Sequence, residues 1–351
     1  MRYEGRSHDA VDERHAKSGW RRGNALLLMT GCLALGVAGC GSSGSSTDSH
    51  TTGAKGSSSG QSIVLGSMIN DTTNSFLATM AQAEVAEGKK LGVTVDVENG
   101  NVDNSTEVSE VQQFISQHVS GLLLTPSDPT AIVPAIRQAN QSNIPVFTVN
   151  TTAAKGADVV SFIGADDYQY GVGLGKLAVQ ATGGKGNVAL VLGIPGDSAE
   201  VLRTEGAQSI LKHYPNIHIV AQPADSWSNT TDVSVVQDLL SKYPKGDLAA
   251  IIGEGPEIYH GADYARANGR SDVKFIAGDF PKQLVGQIQN GAIFGTVDQN
   301  PIEEGTLAVI NAVNWIRGNK SDVSRPNDFI KLPIVTKANL AQYQGQTTWN
   351  W

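Results

Sequence analysis

The fold is decided by residues 121–150, which read GLLLTPSDPTAIVPAIRQANQSNIPVFTVN. Two apolar runs of strand length, at 121–125 and 145–149, enclose a helical pattern. Neither run alternates apolar and polar side chains, which is typical of parallel strands that are buried on both faces. A strand, a helix and a second strand in this order predict a right-handed crossover between parallel strands, with the helix covering the sheet.

The same alternation of strand and helix extends from residue 62 to residue 298. Val108, Val111, Ile115 and Val119 recur at intervals of three and four residues, which predicts a helix with one apolar stripe. Eight further apolar runs have the length of a strand: 63–68, 93–97, 159–163, 187–192, 217–221, 248–252, 273–277 and 292–297. The body of the chain is therefore predicted to be an α/β protein.

Ten strands are too many for one compact sheet, so we expect two doubly wound parallel-sheet lobes joined by a three-strand hinge. A helix over 301–317 and a strand over 329–335 complete the pattern. We assign residues 62–164 and about 300–328 to the N-terminal lobe, and residues 165–298 and about 329–340 to the C-terminal lobe.

The first 61 residues resemble an export signal and a linker. An uncharged apolar stretch at 25–39 follows Arg21 and Arg22, as in a secretory signal peptide, which we assign to residues 1–39. Val37-Ala38-Gly39-Cys40 resembles the bacterial lipobox, in which the cysteine carries a lipid. Residues 40–61 are then a lipidated Cys40 and a flexible Ser/Gly linker.

The signal peptide, the lipobox-like cysteine and the linker predict an exported protein that is lipid-anchored to the outer face of the bacterial cell membrane. The alternatives are a cleaved signal with an incidental cysteine at position 40, or modification at Cys32. Modification at Cys32 would leave the apolar residues 33–38 on the mature chain.

Composition excludes several classes of function. With 40 % hydrophobic and 17 % charged residues, the chain should bury a core. Its net charge is −8, and residues 1–39 hold six of the 26 basic and four of the 34 acidic side chains, so the remainder is more acidic still. Such a chain is not expected to bind nucleic acid. No cysteine follows Cys40, so the body has no thiolate metal site and no disulfide.

The sequence also lacks the short motifs of common catalytic sites. There is no G-x-S-x-G elbow, no phosphate-binding P-loop and no H-E-x-x-H pair. We therefore expect neither an enzyme nor a bound cofactor or metal.

Polar residues follow each predicted strand, where ligands bind in open α/β sheets. Amides, hydroxyls and carboxylates, which bond sugar hydroxyls, are interleaved there with aromatic rings, which cover the C–H faces of a sugar. These positions are 70–74, 127–128, 150–152, 166–167, 197–198, 225–227, 254–255, 279–280 and 298–300. Trp349 and Trp351 stand in a polar tail to which the sequence assigns no role.

Five segments resemble one known family. They are Asn74-Ser75-Phe76-Leu77, residues 121–128, residues 139–146, Gln222-Pro223-Ala224-Asp225 and Asp298-Gln299-Asn300-Pro301. Together they resemble the periplasmic sugar-binding proteins of ABC importers, in the branch of ribose-binding protein, over nearly all of residues 62–340. The resemblance implies the type I periplasmic binding protein fold, acting as a monomer that closes two lobes on a small solute and delivers it to a permease.

The resemblance also implies which residues contact the solute. These are Asn74, Phe76, Asn150, Thr151, Arg203, Trp227, Glu254, Asp279, Phe280 and Gln299, to which we add Asp166 after the fifth strand. Several have alternatives: Asn74 and Asp166 as helix N-caps, Phe76 as core, Ser226 in place of Trp227, and Gly255 in place of Glu254.

Three positions depart from the family pattern. The Asp-Arg pair after the fourth strand corresponds to Asn150 and Thr151 here. The ligand arginine of the second lobe corresponds to Val201, and Arg203 matches a second arginine. The Phe-Asp pair is inverted as Asp279-Phe280. These departures favour a solute other than ribose: another pentose, a polyol or a small non-sugar.

The sequence therefore predicts the solute-binding lipoprotein of an ABC importer for a sugar or polyol. The alternatives are a ligand-sensing subunit of a membrane receptor, an importer subunit for a non-sugar polar solute, and a secreted α/β enzyme. A soluble repressor is disfavoured because residues 1–61 are read as leader and linker rather than as a DNA-binding helix pair.

Overall fold

The computed structural model describes residues 62–351. The predicted signal peptide, Cys40 and the Ser/Gly linker lie outside the described residues. Within this range, none of the helices combines the length and the apolar character needed to cross a membrane.

The chain enters the N-terminal lobe first and then builds most of the C-terminal lobe. The first part contains β1 (Val64–Ile69), α1 (Ser75–Leu91), β2 (Thr94–Asn99), α2 (Asn104–Ser116), β3 (Gly121–Thr125), α3 (Val133–Gln141), β4 (Val146–Val149) and β5 (Ser161–Gly164). The second contains α4 (Asp167–Thr182), β6 (Gly186–Val191), α5 (Ser198–Leu211), β7 (Ile217–Ala221), α6 (Asn229–Lys242), β8 (Ala250–Gly253), α7 (Ile258–Ala267), β9 (Lys274–Gly278), α8 (Lys282–Asn290) and β10 (Ile293–Val297).

The last part of the chain returns to each lobe in turn. Helix α9 (Pro301–Ile316) packs against α1, and β11 (Asn327–Phe329) pairs with β5 in the N-terminal lobe. Strand β12 (Ile334–Thr336) then pairs with β10, and α10 (Leu340–Tyr343) packs on α8. The predicted strand over 329–335 is thus two short strands in different sheets, because the chain crosses between lobes inside it.

Each lobe contains one six-stranded sheet with helices on both faces. The strand orders are β11-β5-β4-β3-β1-β2 and β12-β10-β9-β8-β6-β7. All neighbours are parallel except β10 and β12. Both sheets bury apolar side chains against helices on each face, which explains why their strands read as continuous apolar runs. The predicted fold class is confirmed.

The chain passes between the lobes three times. The crossings are the short segments 165–166, 298–300 and 330–333, each lying between an element of one lobe and an element of the other. These segments are where the lobes can rotate relative to each other. Two of these crossings directly follow the carboxyl ends of strands, β5 and β10. The polar residues that follow the strands of the two sheets therefore face one another across a cleft.

Candidate functional site

A cleft between the two lobes collects most of the residues expected to bind a solute. Its empty volume is about 550 Å³, which includes the open mouth. Its walls are formed by Asn70, Asp71, Asn74, Phe76, Leu77, Asn150 and Thr151 of the N-terminal lobe, by Ile194, Ala199, Arg203, Ser226, Trp227, Pro256 and Asp279 of the C-terminal lobe, by Gln299 of a crossing, and by Trp351.

The start of α1 supplies one wall through Asn74 and Phe76. Asn74 caps the helix, since its Oδ1 accepts hydrogen bonds from the backbone N–H groups of Phe76 (2.9 Å) and Leu77 (3.2 Å). The cap fixes the amide at the edge of the cleft. Phe76 is 5 % exposed and belongs to the core of its lobe while also lining the cleft, so both of its predicted roles are compatible with its position.

Four residues of the cleft wall have a strained backbone. Asn150, Ser226, Trp227 and Asp279 have φ angles of 64°, 57°, 55° and 52°, in the left-handed region that side chains other than glycine rarely adopt. For a bulky residue such as Trp227 this conformation is a clear outlier. Each such residue costs on the order of 1–3 kcal/mol, which other contacts must offset, and such residues cluster at functional sites.

Arg203 lies at the floor of the cleft and connects several groups. It is 5 % exposed. Its Nε donates to Asp167 Oδ1 (2.8 Å), its Nη1 to the Glu254 carbonyl (2.9 Å) and its Nη2 to Gln299 Oε1 (2.6 Å). Within residues 62–351 these bonds engage three of the five guanidinium N–H groups, so two are left for a solute. The guanidinium also lies 3.9 Å from the ring centroid of Tyr170.

The network continues through the hinge into the N-terminal lobe. Gln299 Nε2 donates to Glu304 Oε1 (2.7 Å), and Asn150 Nδ2 donates to Glu304 Oε2 (3.1 Å). Asn150 is thereby connected to Arg203 through two intermediate side chains. One network of hydrogen bonds therefore joins the two lobes through the hinge. Because three of its members line the cleft, the positions of these side chains depend on how the lobes are arranged.

The hydrogen-bonded network around Arg203 carries a net charge close to zero. Burial alone would lower the pKa of Arg203, but the carboxylates of Asp167 and Asp279 more than offset this, so the guanidinium keeps its charge. Burial raises the pKa of Glu304 to about 8, which favours its protonated form at neutral pH. Arg203 and Asp167 form the ion pair, and Glu304 adds little charge.

Asp279 is held by Tyr170 at the end of β9. The Tyr170 hydroxyl donates to Asp279 Oδ1 (2.9 Å) and accepts from the Asp279 backbone N–H (2.8 Å). Burial raises the pKa of Asp279 to about 7, while Arg203 and the Tyr170 hydrogen bond oppose the rise. This side chain can therefore both donate and accept hydrogen bonds near neutral pH.

Two polar atoms of the cleft residues have no hydrogen-bond partner among the described residues. One is Trp227 Nε1, a donor, and the other is Asn70 Oδ1, an acceptor on a side chain that is 2 % exposed. Buried polar atoms are rarely left unpaired in folded proteins, so each unpaired atom requires an explanation. Both atoms are themselves buried in the wall, so neither is presented to the open cleft.

Three of the expected site residues do not line the cleft. Phe280 is 1 % exposed within the core of the C-terminal lobe. Glu254 is also buried, and its carboxylate accepts from Gly193 N (2.9 Å) and Thr204 Oγ1 (2.7 Å), behind the cleft wall. Asp166 caps α4 by accepting from Gln169 N (3.1 Å), in agreement with its alternative role.

The position of Val201 corrects another expectation. Val201 is 41 % exposed and is absent from the cleft wall, whereas Arg203 lies inside it. Position 201 therefore lies outside the cleft, and a valine there does not change the charge of the cleft. Of the expected site residues, eight line the cleft: Asn74, Phe76, Asn150, Thr151, Arg203, Trp227, Asp279 and Gln299. Their contact with a solute stays a prediction.

Other cleft residues were missed by the sequence analysis. Asn70 and Asp71 directly follow β1 and belong to the polar positions 70–74 noted in the sequence, although they were not among the expected contacts. Leu77, Ile194, Ala199 and Pro256 are apolar or small and carry no such signal. Trp351 lies far along the chain from every strand end of the cleft. Within residues 62–351 no group of His, Cys, Asp or Glu side chains could hold a metal ion.

Comparison with known proteins adds a family to this geometry. The sequence profile of the periplasmic binding protein domain matches residues 65–320. The ribose import binding protein of Escherichia coli (strain K12) is 30 % identical over 272 residues, covering 77 % of this chain and 89 % of that protein. The xylitol-binding protein of Mycolicibacterium smegmatis is 24 % identical over 315 residues, covering 90 % and 85 %.

Solved structures show the same architecture. An ABC transporter solute-binding protein from Mycobacterium smegmatis with bound glycerol has a TM-score of 0.76 at 27 % identity, covering 83 % of this chain and 99 % of that one. A solute-binding protein from Bacillus halodurans C-125 with bound myo-inositol has the same TM-score at 22 % identity and the same coverage. The second likeness concerns the fold alone.

Proposed function

The chain belongs to the periplasmic binding protein family, and from this premise we propose that it is the solute-binding protein of an ABC importer for an uncharged, hydroxylated solute. The solute class comprises pentoses and polyols. Proteins of this family work outside the cytoplasm, where they bind a solute and deliver it to a permease, and they are not enzymes.

One observation carries the solute class. The cleft wall holds the amide side chains of Asn70, Asn74 and Asn150, together with that of Gln299 at a crossing. An amide both donates and accepts hydrogen bonds, so a molecule with several hydroxyls suits this wall. Phe76 and Trp227 add aromatic rings that can cover C–H faces of the same molecule.

The charges of the cleft argue against an acidic solute. Arg203 is the cleft's buried cation, and Asp167 already pairs with it (2.8 Å). A solute carboxylate would compete with that pair, since a buried charge is costly unless it is fully paired. Thr151 stands where the resemblance expects an arginine, and its hydroxyl donates to the Pro126 carbonyl (2.7 Å), so this position supplies no second cation. These features favour a polyol or a pentose over an acidic solute.

The membrane anchor is a further part of the proposal. Cys40 follows a lipobox-like sequence, and residues 41–61 are rich in serine and glycine, which suits a flexible tether. The protein then acts as a lipid-anchored monomer on the outer face of the cell membrane. A ligand-sensing role at a membrane receptor is the alternative, and it needs the same cleft.

A thermal-shift screen of the purified protein tests the solute class. The panel comprises D-ribose, D-allose, xylitol, myo-inositol and glycerol, with glutamate and putrescine as charged controls. A compound that binds only the folded state stabilises it by about 2.7 kcal/mol at a hundredfold excess over Kd, which raises the melting temperature by several degrees. Shifts with glutamate or putrescine alone would overturn the uncharged class.

The variant Asn150→Gly links the response to the cleft. Glycine adopts a positive φ without strain, so the change removes the amide while keeping the backbone. We expect the Kd of the responding compound to rise about tenfold, the equivalent of a lost hydrogen bond of about 1.4 kcal/mol. Asn143→Gly is the matched control, because Asn143 has φ 59° at an exposed turn. Equal affinities in the two variants would remove Asn150 from the site.

A further inference from the structure

The segment after α10 crosses from the C-terminal lobe to the N-terminal lobe. Residues 344–351 lie beyond residue 320, where the family match ends. Trp349 is 4 % exposed and joins the core of the N-terminal lobe. Its ring stands edge-on to that of Phe76, with the ring centroids 5.5 Å apart and an angle of 89° between the planes.

The same segment is also bonded to the C-terminal lobe, at the first residues of α8. The Lys282 backbone N–H donates to the Trp349 carbonyl (3.1 Å). Gln283 holds the Trp351 backbone from both sides, since its Oε1 accepts from Trp351 N (3.1 Å) and its Nε2 donates to the Trp351 carbonyl (2.9 Å). The segment therefore has partners in both lobes.

The side chain of Trp351 is fixed at the cleft. Its Nε1 donates to Asn229 Oδ1 at the start of α6 (2.5 Å), and its ring lies 6.2 Å from that of Trp349. Because the indole N–H is already engaged, Trp351 has only its ring to offer a molecule in the cleft that it lines. An aromatic ring in this position can cover the C–H face of a hydroxylated solute.

We propose that Trp351 contacts the solute and that residues 344–351 form a clasp that docks across both lobes when they close. The contact rests on the proposed function. Since the clasp packs on the N-terminal lobe and is hydrogen-bonded to the C-terminal lobe, it holds best at one separation of the lobes. Solute binding and clasp docking favour the same closed state, so each strengthens the other.

Isothermal titration with the panel compound of lowest Kd tests the contact. Trp351→Ala should raise that Kd at least tenfold, and Trp351→Phe, which keeps a ring, should raise it about threefold or less. Trp349→Ala should also raise it, although Trp349 is absent from the cleft wall, because the clasp undocks. Trp315→Phe is the control, since Trp315 packs on the same lobe core on α9 away from the cleft.

Hydrogen exchange of the protein without added solute tests the clasp. The Lys282 amide donates to Trp349, so Trp349→Ala and Trp351→Ala should speed exchange at Lys282, while Trp315→Phe should not. Unchanged exchange in both variants overturns the clasp. A Kd for Trp351→Ala within twofold of the wild-type value overturns the contact and leaves the proposed function standing. If no panel compound binds, both the proposed function and the Trp351 contact are refuted. The rate of hydrogen exchange at Lys282 then remains the test of the clasp.

Discussion

Arg203 shows how one residue can serve both lobes. Its guanidinium bonds Asp167 and the Glu254 carbonyl in its own lobe and Gln299 in a crossing. Removing one partner of a buried ion pair typically costs about 3–5 kcal/mol, because the other charge is left unpaired. The position of this side chain is therefore tightly determined, and any solute that bonds Arg203 meets a preorganised group.

Buried carboxyl groups make the stability of this protein depend on pH. Glu84 is fully buried, with Ser67 Oγ donating to its Oε2 (2.6 Å). Burial raises its pKa to about 8, against 4.5 in an exposed side chain. Between these values the folded state binds one more proton than the unfolded state. The stabilisation is thus fully present below about pH 4.5 and is lost as the pH rises through about 8.

The substitution Glu84→Gln should remove this dependence. Relative to the wild type, the free energy of unfolding of the variant should increase by up to about 1.4 kcal/mol per pH unit between pH 5 and pH 8. Urea denaturation at pH 5, 6.5 and 8 measures this difference. Glu205→Gln, at an exposed position of α5, is the control for loss of a carboxyl group. A constant difference across the three pH values would contradict the prediction.

For single residues, the sequence predicted which types of side chain stand at the site, but it did not predict the direction in which each side chain points. Asp279 and Phe280 were both expected at the site because they follow β9. The structure places Asp279 at the cleft and Phe280 in the core, since successive side chains leave a strand end in different directions. Only the local backbone, with φ 52° at Asp279, decides which of the two faces the cleft.

At the scale of elements, two glycines set the distance between α4 and α5. A Cβ atom on Gly171 would overlap the Arg203 backbone carbonyl, and one on Gly206 would overlap the Tyr168 carbonyl. The helices can approach this closely only because both positions lack a side chain. This close packing also fixes Arg203, which lies on α5 between these contacts.

We expect Gly206→Ala to destabilise the protein by about 1–3 kcal/mol, because the helices must move apart to admit the methyl group. The displacement of α5 should also move Arg203 and weaken solute binding. Gly286→Ala is the matched control in α8, where a Cβ would meet no atom within 4 Å. That variant should gain about 0.5–1 kcal/mol from helix propensity. Chemical denaturation of both variants checks the opposite signs, and a loss of stability in both would refute this explanation.

The sequence predicted that the strands exist. It did not predict to which lobe each of the last two strands belongs. Ten apolar runs between residues 62 and 298 correspond to β1–β10, because burial on both faces of a sheet leaves a local pattern. The predicted strand over 329–335 carries no local sign that residues 330–333 cross between lobes. The pairing of β11 with β5 and of β12 with β10 depends on distant partners.

At the scale of the whole molecule, the lobes make direct contact at the cleft. The Thr152 backbone N–H, after β4, donates to Ser198 Oγ at the start of α5 (3.0 Å). This bond joins the two lobes in addition to the hinge network of Gln299 and Glu304. It exists only while the lobes are at this separation, so it contributes to the closed arrangement and to no other.

Ser198→Ala should therefore weaken solute binding without unfolding either lobe. Loss of one hydrogen bond costs the closed state about 0.5–1.5 kcal/mol, which corresponds to an increase in Kd of about two- to twelvefold. Ser209→Ala, on the same helix, removes a bond to the Gly206 carbonyl within one lobe and should leave Kd unchanged. Titration calorimetry on both variants measures the effect. If Ser198→Ala binds like the wild type, this bond does not stabilise the closed lobes.

The sequence by itself determined the α/β class, the two lobes and the polar edge at which a solute site would form. These properties follow from the periodicity of burial along each element and from the geometry of parallel sheets, both of which are legible in short segments. The family resemblance indicated a solute-binding protein.

Only the tertiary structure decided which side chains meet in the cleft. Arg203, Gln299 and Asn150 are separated by long stretches of chain, yet they belong to one hydrogen-bonded network with Glu304. Trp351 reaches the cleft from a segment with no local signal of function. The physical reason is that contact between distant segments depends on how whole lobes pack, and no local pattern of residues encodes that distance.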